Sequence, residues 1–406
     1  MKTGKYLILF FGLIFLPETG RSVVRTWYQK AHIGGEARHR CTAFSIGNKG
    51  YYGGGHVNSG ETITYKDYWE YDPATNSWSQ IADFGGGLRY HSSAFTIDGY
   101  AYVGCGENST SNYTNDFWKY VPEVNTWFPI ANLPSTPRRG GTAFSISGKG
   151  YYGLGQSDDG YHTDFYTYDP ATNVWTAIAD FIGEARSAAV SFTHNAKGYV
   201  GTGHKIGEAL NDFYEYDPLT NTWTVKANVG GSIRQDAMAF MIDGKGYIGT
   251  GNDNLGNDFK DIWEYDFSTN IWTQINDFGG QKRRYATTFT IENIVYLAGG
   301  TNGTNFKDCW AFAPSVSIFE SLSENFTIQL FPNPSTEKIT ISTNLPNDLK
   351  EKFSYTVVNI QGKTILKGNF TNQNQVFYKN QFETGIYILN VFLDGEYFTA
   401  KKFVFN

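Results

Sequence analysis

One pattern returns along this chain at nearly constant spacing, and it constrains the fold more than any other feature. Phe44, Phe95, Phe144, Phe192, Phe240 and Phe289 follow one another at steps of 51, 49, 48, 48 and 49 residues. Six residues before each stands an arginine: Arg38, Arg89, Arg138, Arg186, Arg234 and Arg283. Seven residues after each stands a tyrosine: Tyr51, Tyr102, Tyr151, Tyr199, Tyr247 and Tyr296, most followed at once by a glycine pair or Gly-x-Gly. An aspartate beside an aromatic cluster comes next, at Asp67, Asp116, Asp164, Asp212, Asp261 and Asp308. Trp78, Trp127, Trp175, Trp223 and Trp272 close five of the units. Aspartate to tryptophan is always 11 residues, and so is tryptophan to the next arginine. All length variation falls between glycines and aspartate, in segments 56–66, 107–115, 156–163, 204–211, 252–260 and 301–307. Fixed spacing marks strand and turn, and variable spacing marks a surface loop.

Each unit reads as four strands, a to d. Strand a holds the phenylalanine, b the tyrosine, c the aromatic run after the aspartate, and d the tryptophan. Turn signals separate them, such as Asp98-Gly99 between a and b, and Asp72-Pro73 through Asn76 between c and d. In strand a the residues one and three before the phenylalanine are always small, as with Cys41 and Ala43, while the other face is bulky. Such a strand suits the crowded inner edge of a radial array. The sixth unit has no closing tryptophan, but Trp27 stands 11 residues before Arg38. An N-terminal strand d is therefore expected to complete the last unit, which removes an exposed sheet edge. Six registered four-stranded units resemble Kelch repeats, each one blade of a β-propeller. The resemblance covers residues 23–315 and implies an all-β, six-bladed Kelch propeller.

Composition agrees with an all-β chain. Aromatic residues make up 17% of the 406 and charged residues only 18%, the balance of a strand-rich fold. A net charge of −6 argues against a nucleic-acid partner, which needs a basic face. Cys41, Cys105 and Cys309 are an odd number and give no disulfide framework. They read as packing residues, as does His194, which stands where the other five units have Ile.

The two ends read as targeting segments. Residues 1–20 combine two lysines with the apolar run Tyr6–Leu16; that run is too short to span a bilayer and fits a signal peptide. No other stretch is apolar enough for a transmembrane segment in the mature chain. Residues 316–325 read as a linker. Beyond it lie short alternating strands, with turns at Pro332-Asn333-Pro334, Gln361-Gly362-Lys363 and Asp394-Gly395, as in a small β-sandwich. FPNPS, a NIQGK hairpin and GIYILNV with the terminal KKFVFN resemble the type A C-terminal sorting domain of the type IX secretion system of Bacteroidota, over residues 326–406. The resemblance implies an Ig-like sandwich that engages the secretion machinery. It also implies export through the periplasm to the medium or outer cell surface, with the domain usually cleaved.

Residues that recur in every unit are expected to hold blades together, the arginines pairing with the aspartates between or within blades. Function is expected where the units differ. The two positions after each constant arginine vary: His39-Arg40, Tyr90-His91, Arg139-Gly140, Ser187-Ala188, Gln235-Asp236 and Arg284-Tyr285. They share a face with the variable b–c loops. His39, Arg40, Tyr90, His91, Arg139, Gln235, Arg284 and Tyr285 are the candidate ligand-binding residues. They form a polar, partly basic rim suited to an acidic or sugar-like ligand. No HExxH, GxSxG or P-loop pattern occurs. Histidines 39, 56, 91, 162 and 204 form no tight ligand pair of the kind a copper centre needs. The expectation is a module that binds an extracellular protein or glycan, with no catalytic residue, metal or cofactor assigned. The alternatives are a carbohydrate-active enzyme of the Kelch N-acetylneuraminate epimerase type, whose blade number matches, and a structural surface protein without catalysis.

Overall fold

The computed structural model describes residues 25–59, 61–314, 327–344, 352–370, 374–393 and 396–406. The expected signal peptide (1–20) and linker (316–325) lie outside the described residues. Two compact units divide between Pro314 and Ser315.

The first unit contains six four-stranded antiparallel sheets. In blade 1 the order from inside outwards is strand a (Thr42–Ile46), b (Lys49–Gly53), c (Tyr68–Asp72) and d (Ser77–Ile81), and blades 2 to 5 repeat it. The six a strands pack side by side in blade order, and the last returns to the first. Their small residues line the axial channel, among them Ala43, Ala94, Ala143, Ser191, Ala239 and Thr288. On the other face each phenylalanine stacks on the tyrosine of strand b, as Phe95 does on Tyr102 at 5.1 Å between centroids and Phe289 on Tyr296 at 5.1 Å. In blades 1, 3, 4 and 5 a glycine before that tyrosine leaves room for the neighbouring blade: a Cβ on Gly150 would lie 2.2 Å from the ring of Phe95.

The expected closing strand is present. Arg25–Lys30 pairs antiparallel with strand c of blade 6 (Cys309–Pro314), from Arg25 opposite Pro314 to Lys30 opposite Cys309. It lies outermost in the sheet, where strand d lies in other blades. Arg25 donates to Asp243 at 2.9 Å and to the carbonyl of Asn293 at 2.9 Å, tying the strand to turns of blades 5 and 6.

The constant arginines and aspartates pair within each blade, as Arg38 with Asp67 and Arg283 with Asp308. Each guanidinium also donates to a backbone carbonyl 16 residues further on, for example Arg186 to Thr202 at 3.0 Å and Arg234 to Thr250 at 3.1 Å. Four of the aspartates accept an indole N–H as well, from Trp69, Trp118, Trp263 and Trp310. The arginine thus clamps the b–c and d–a connections together at the base of the loop face. Contacts between blades come from the closing tryptophans and from an asparagine in each c–d turn. Trp175 donates to the carbonyl of Ala131 at 2.9 Å. Asn173 accepts from the backbone N–H of Ala131 at 2.9 Å and from the Tyr168 hydroxyl at 2.9 Å. Cys105 and Cys309 are buried, Cys41 is half-buried, and all three thiols are free. His194 is half-buried and stacks on Phe267 at 3.9 Å.

The second unit is a β-sandwich. A three-stranded sheet, in spatial order Ile328–Phe331, Lys338–Thr343 and Asn374–Tyr378, faces a four-stranded one. The latter runs Thr364–Asn369, Phe353–Asn359, Gly385–Leu393 and Glu396–Phe405. Alternate residues of both sheets, among them Ile339, Ile341, Val357, Leu389, Phe403 and Phe405, form one core with no exposed side chain.

Candidate functional site: the mouth of the channel

The clamp by the constant arginine fixes the two residues after it. The first pairs with the first residue of the b–c loop in every blade, giving six bridges: His39 with His56, Tyr90 with Glu107, Arg139 with Gln156, Ser187 with His204, Gln235 with Asn252, and Arg284 with Thr301. The second adopts the left-handed conformation in all six, with φ between 55° and 61° at Arg40, His91, Gly140, Ala188, Asp236 and Tyr285. Backbone hydrogen bonds join these residues from blade to blade: His91 to Arg40, Gly140 to His91, Ala188 to Gly140 and Tyr285 to Asp236. All six line a cavity of about 200 Å³ at the mouth of the channel. A second cavity, of about 220 Å³, shares its lower wall and continues between the a strands.

The eight sequence candidates therefore separate into two tiers. Arg40, His91 and Tyr285 line the cavity. His39, Tyr90, Arg139, Gln235 and Arg284 stand one residue further out, in the ring of bridges. The structure adds Asp236 to the lining, and it adds His56, Glu107, His204 and Asn252 to the outer ring. The sequence carries a signal for these last four: each stands 17 residues after the first residue beyond the constant arginine. That spacing is invariant although the residue type is not. Counting the position as part of a variable loop hid it.

A continuous polar chain runs round most of the mouth. The Tyr285 hydroxyl accepts from Arg40 Nη2 at 2.7 Å and lies beside Asp236, whose charged form it favours. Arg40 Nη1 lies 3.1 Å from His56 Nε2; an arginine can only donate, so this nitrogen accepts and the His56 proton sits on Nδ1. His56 stacks on Tyr90 at 4.0 Å. Tyr90 is bridged through its backbone to Glu107, which forms an ion pair with Arg139. Arg284 pairs with Asp258 at 2.7 Å. The rim expected to be polar and partly basic is thus internally neutralised at Arg139 and Arg284.

Burial sets the charge states. It drives His39 and His204 down to about 4 and His56 to about 3, and neighbouring arginines push the same way. His91 is held well below the ordinary range by burial, then by Arg40 and Arg139. These four histidines are neutral at pH 7. Asp236 is raised to about 6 by burial, against the pull of Arg40. Several buried polar atoms of the mouth lack a hydrogen-bond partner: Arg40 Nε, His56 Nδ1, His91 Nδ1, His204 Nδ1, Asp236 Oδ1 and Asn252 Oδ1. Unpartnered buried polar groups are costly and rare, and their gathering here marks a place where stability is given up. Among the described residues, no three His, Cys, Asp or Glu side chains gather as metal ligands do.

Comparison with known proteins agrees with the fold. Residues 180–337 match the KLHDC2/KLHL20/DRC7 Kelch-repeats domain, and residues 329–406 match the Secretion system C-terminal sorting domain. No curated protein matches the chain. The solved structure of YjhT superposes with a TM-score of 0.58 and 18% identity, covering 68% of this chain and 94% of that one; at that identity the likeness shows the fold alone. Among the described residues no helix is long and apolar enough to cross a membrane. Six registered blades, the Kelch match and the C-terminal match together place the chain among the Kelch-repeat β-propellers, joined to a C-terminal sorting domain of the type IX secretion system.

Proposed function

We propose that the propeller is an extracellular binding module, made with a cleavable signal peptide and delivered to the medium or outer surface of a member of the Bacteroidota. Its ligand, a glycan or a protein, docks at the mouth of the channel. The observation that carries this reading is the convergence of unpartnered buried polar atoms from blades 1, 2 and 5, those of Arg40, His91 and Asp236, on one cavity. Ligand sites are concave and hold a few convergent polar groups. Labelled full-length protein, wild type and Asp236→Ala, is to be screened on a glycan array and a protein microarray. Ligands held by the wild type and lost by the variant support the reading. Identical profiles, or none, count against it.

One observation favours a carbohydrate-active enzyme as second reading. Asp236, raised to about 6, shares the cavity with Arg40, His91 and Tyr285, and a carboxyl so placed is able to take up and release a proton near neutral pH. NMR exchange between N-acetylneuraminate anomers, faster with the protein than without, is the outcome that this reading requires.

A further inference from the structure

The six throat positions are equivalent in backbone but not in side chain. In blade order they are Arg40, His91, Gly140, Ala188, Asp236 and Tyr285. Four are large and polar, and the two small ones are adjacent. The polar chain from Asp236 through Tyr285, Arg40, His56, Tyr90 and Glu107 to Arg139 runs through blades 5, 6, 1, 2 and 3. It leaves a notch over Gly140 and Ala188, with His91 on one side and Asp236 on the other.

The charges of the mouth also balance. Three guanidiniums act on its titratable groups, those of Arg40, Arg139 and Arg284. Three carboxylates stand against them: Glu107 and Asp258 in ion pairs, and Asp236 beside the Tyr285 hydroxyl that accepts from Arg40. The four histidines carry no charge at pH 7. Summed over the mouth, an anionic ligand would meet no net positive charge, and burying its charge here would be penalised. Asp236 is only 6% exposed, lines the cavity and has an oxygen without a partner. A carboxylate accepts hydrogen bonds, a guanidinium donates them, and a neutral imidazole does either. Neighbouring hydroxyls, which both donate and accept, match that mixture. The cavity of about 200 Å³ equals the space of roughly seven waters at about 30 Å³ each, enough for one sugar ring.

We propose that the mouth holds a single uncharged, hydroxyl-rich sugar unit at the end of a glycan, seated in the notch over Gly140 and Ala188 and hydrogen-bonded to Asp236 and His91. This rests on the reading that this face binds a ligand, and it selects neutral glycans over acidic ones and over proteins.

The test is calorimetric titration of the full chain with a panel of neutral methyl hexosides and N-acetylhexosaminides, beside N-acetylneuraminate and glucuronate. At least one neutral glycoside binds saturably, and its affinity stays level as salt is raised, because no net charge is neutralised. Ala188→Tyr fills the notch. Ala188 has φ of 55° and Tyr285 has 58° in the equivalent place, so the backbone accepts the larger residue and the unfolding temperature stays put. Affinity falls by at least about tenfold in this variant, and Asp236→Asn, which keeps the shape, also weakens it. Preference for an acidic sugar, or binding that survives Ala188→Tyr, overturns the proposal while leaving the binding reading intact. If no sugar binds, the proposal fails, and the microarrays decide separately whether the face binds a protein.

Discussion

Asp236 shows what one buried carboxyl costs the fold. Its carboxyl is raised to about 6 by burial, above the ordinary carboxylate value near 3.9. The folded protein therefore holds this proton more tightly than the unfolded chain does. Its stabilising contribution is complete below about pH 4 and is lost as the pH rises through about 6. Asp236→Asn removes that loss. The variant is expected to be more stable than wild type at pH 7 to 8, by up to about 3 kcal/mol, and the gain is expected to vanish near pH 4. Denaturant unfolding across that range measures it. The constant arginines act in the opposite sense. Arg186 is fully buried and pairs with Asp212, so Arg186→Ala leaves a carboxylate and a carbonyl without their partner and costs about 3–5 kcal/mol. An unchanged midpoint in the same experiment would remove the clamp from this account. The two kinds of residue also differ in the sequence. Arg186 recurs in register and Asp236 does not. The sequence did not place Asp236 among the candidates, because nothing in a one-dimensional pattern shows that this carboxylate loses its water.

Among the elements, the asparagine of each c–d turn is the least conspicuous in sequence and among the best used. Asn76, Asn125, Asn173, Asn221 and Asn270 each accept the backbone N–H of an alanine beside the preceding blade's last strand, and each also accepts a tyrosine hydroxyl. Removing one strands two donors at once. Asn221→Ala is expected to cost about 1–3 kcal/mol, read as a shift in denaturation midpoint with slope unchanged. Strand order, blade number and the closing strand were legible in the sequence, because fixed spacings between arginine, tyrosine, aspartate and tryptophan are direct records of ladder geometry. The neutralised rim was not legible. The pairs Arg139 with Glu107 and Arg284 with Asp258 join side chains 32 and 26 residues apart that share no motif. Which loop residues meet depends on how the b–c loops fold over the mouth, and in blades 1, 3 and 4 these loops form small hairpins of their own.

For the whole molecule, the seam between blades 5 and 6 differs from the others. Four of the five matching indoles described above in kind, those of Trp78, Trp127, Trp223 and Trp272, repeat the bond that Trp175 makes. Trp27 in the closing strand has its indole N–H buried without a partner. Its packing on Phe278 and Phe312, at 4.9 and 5.0 Å, holds the seam instead. Trp27→Ala is expected to cost about 3–5 kcal/mol and to lower resistance to proteolysis first at residues 25–30. Removal of residues 315–406 takes away one compact unit. It is expected to leave the propeller folded with ligand binding intact and to retain it in the periplasm, which cell fractionation checks.

The antiparallel pairing of Arg25–Lys30 with Cys309–Pro314 also dictates a timetable. In a chain made from its N-terminus, the strand Arg25–Lys30 is finished long before its partner, which lies beyond five complete blades. The equilibrium cost of so long a wait is slight, because loop-closure entropy adds only about 0.6 kcal/mol for each doubling of length. The kinetic cost is larger. Until Cys309–Pro314 has been made, Arg25–Lys30 presents unpaired backbone, the condition under which sheets aggregate. A chain built in this way gains most from a carrier that shields its leading segment until the final blade has emerged.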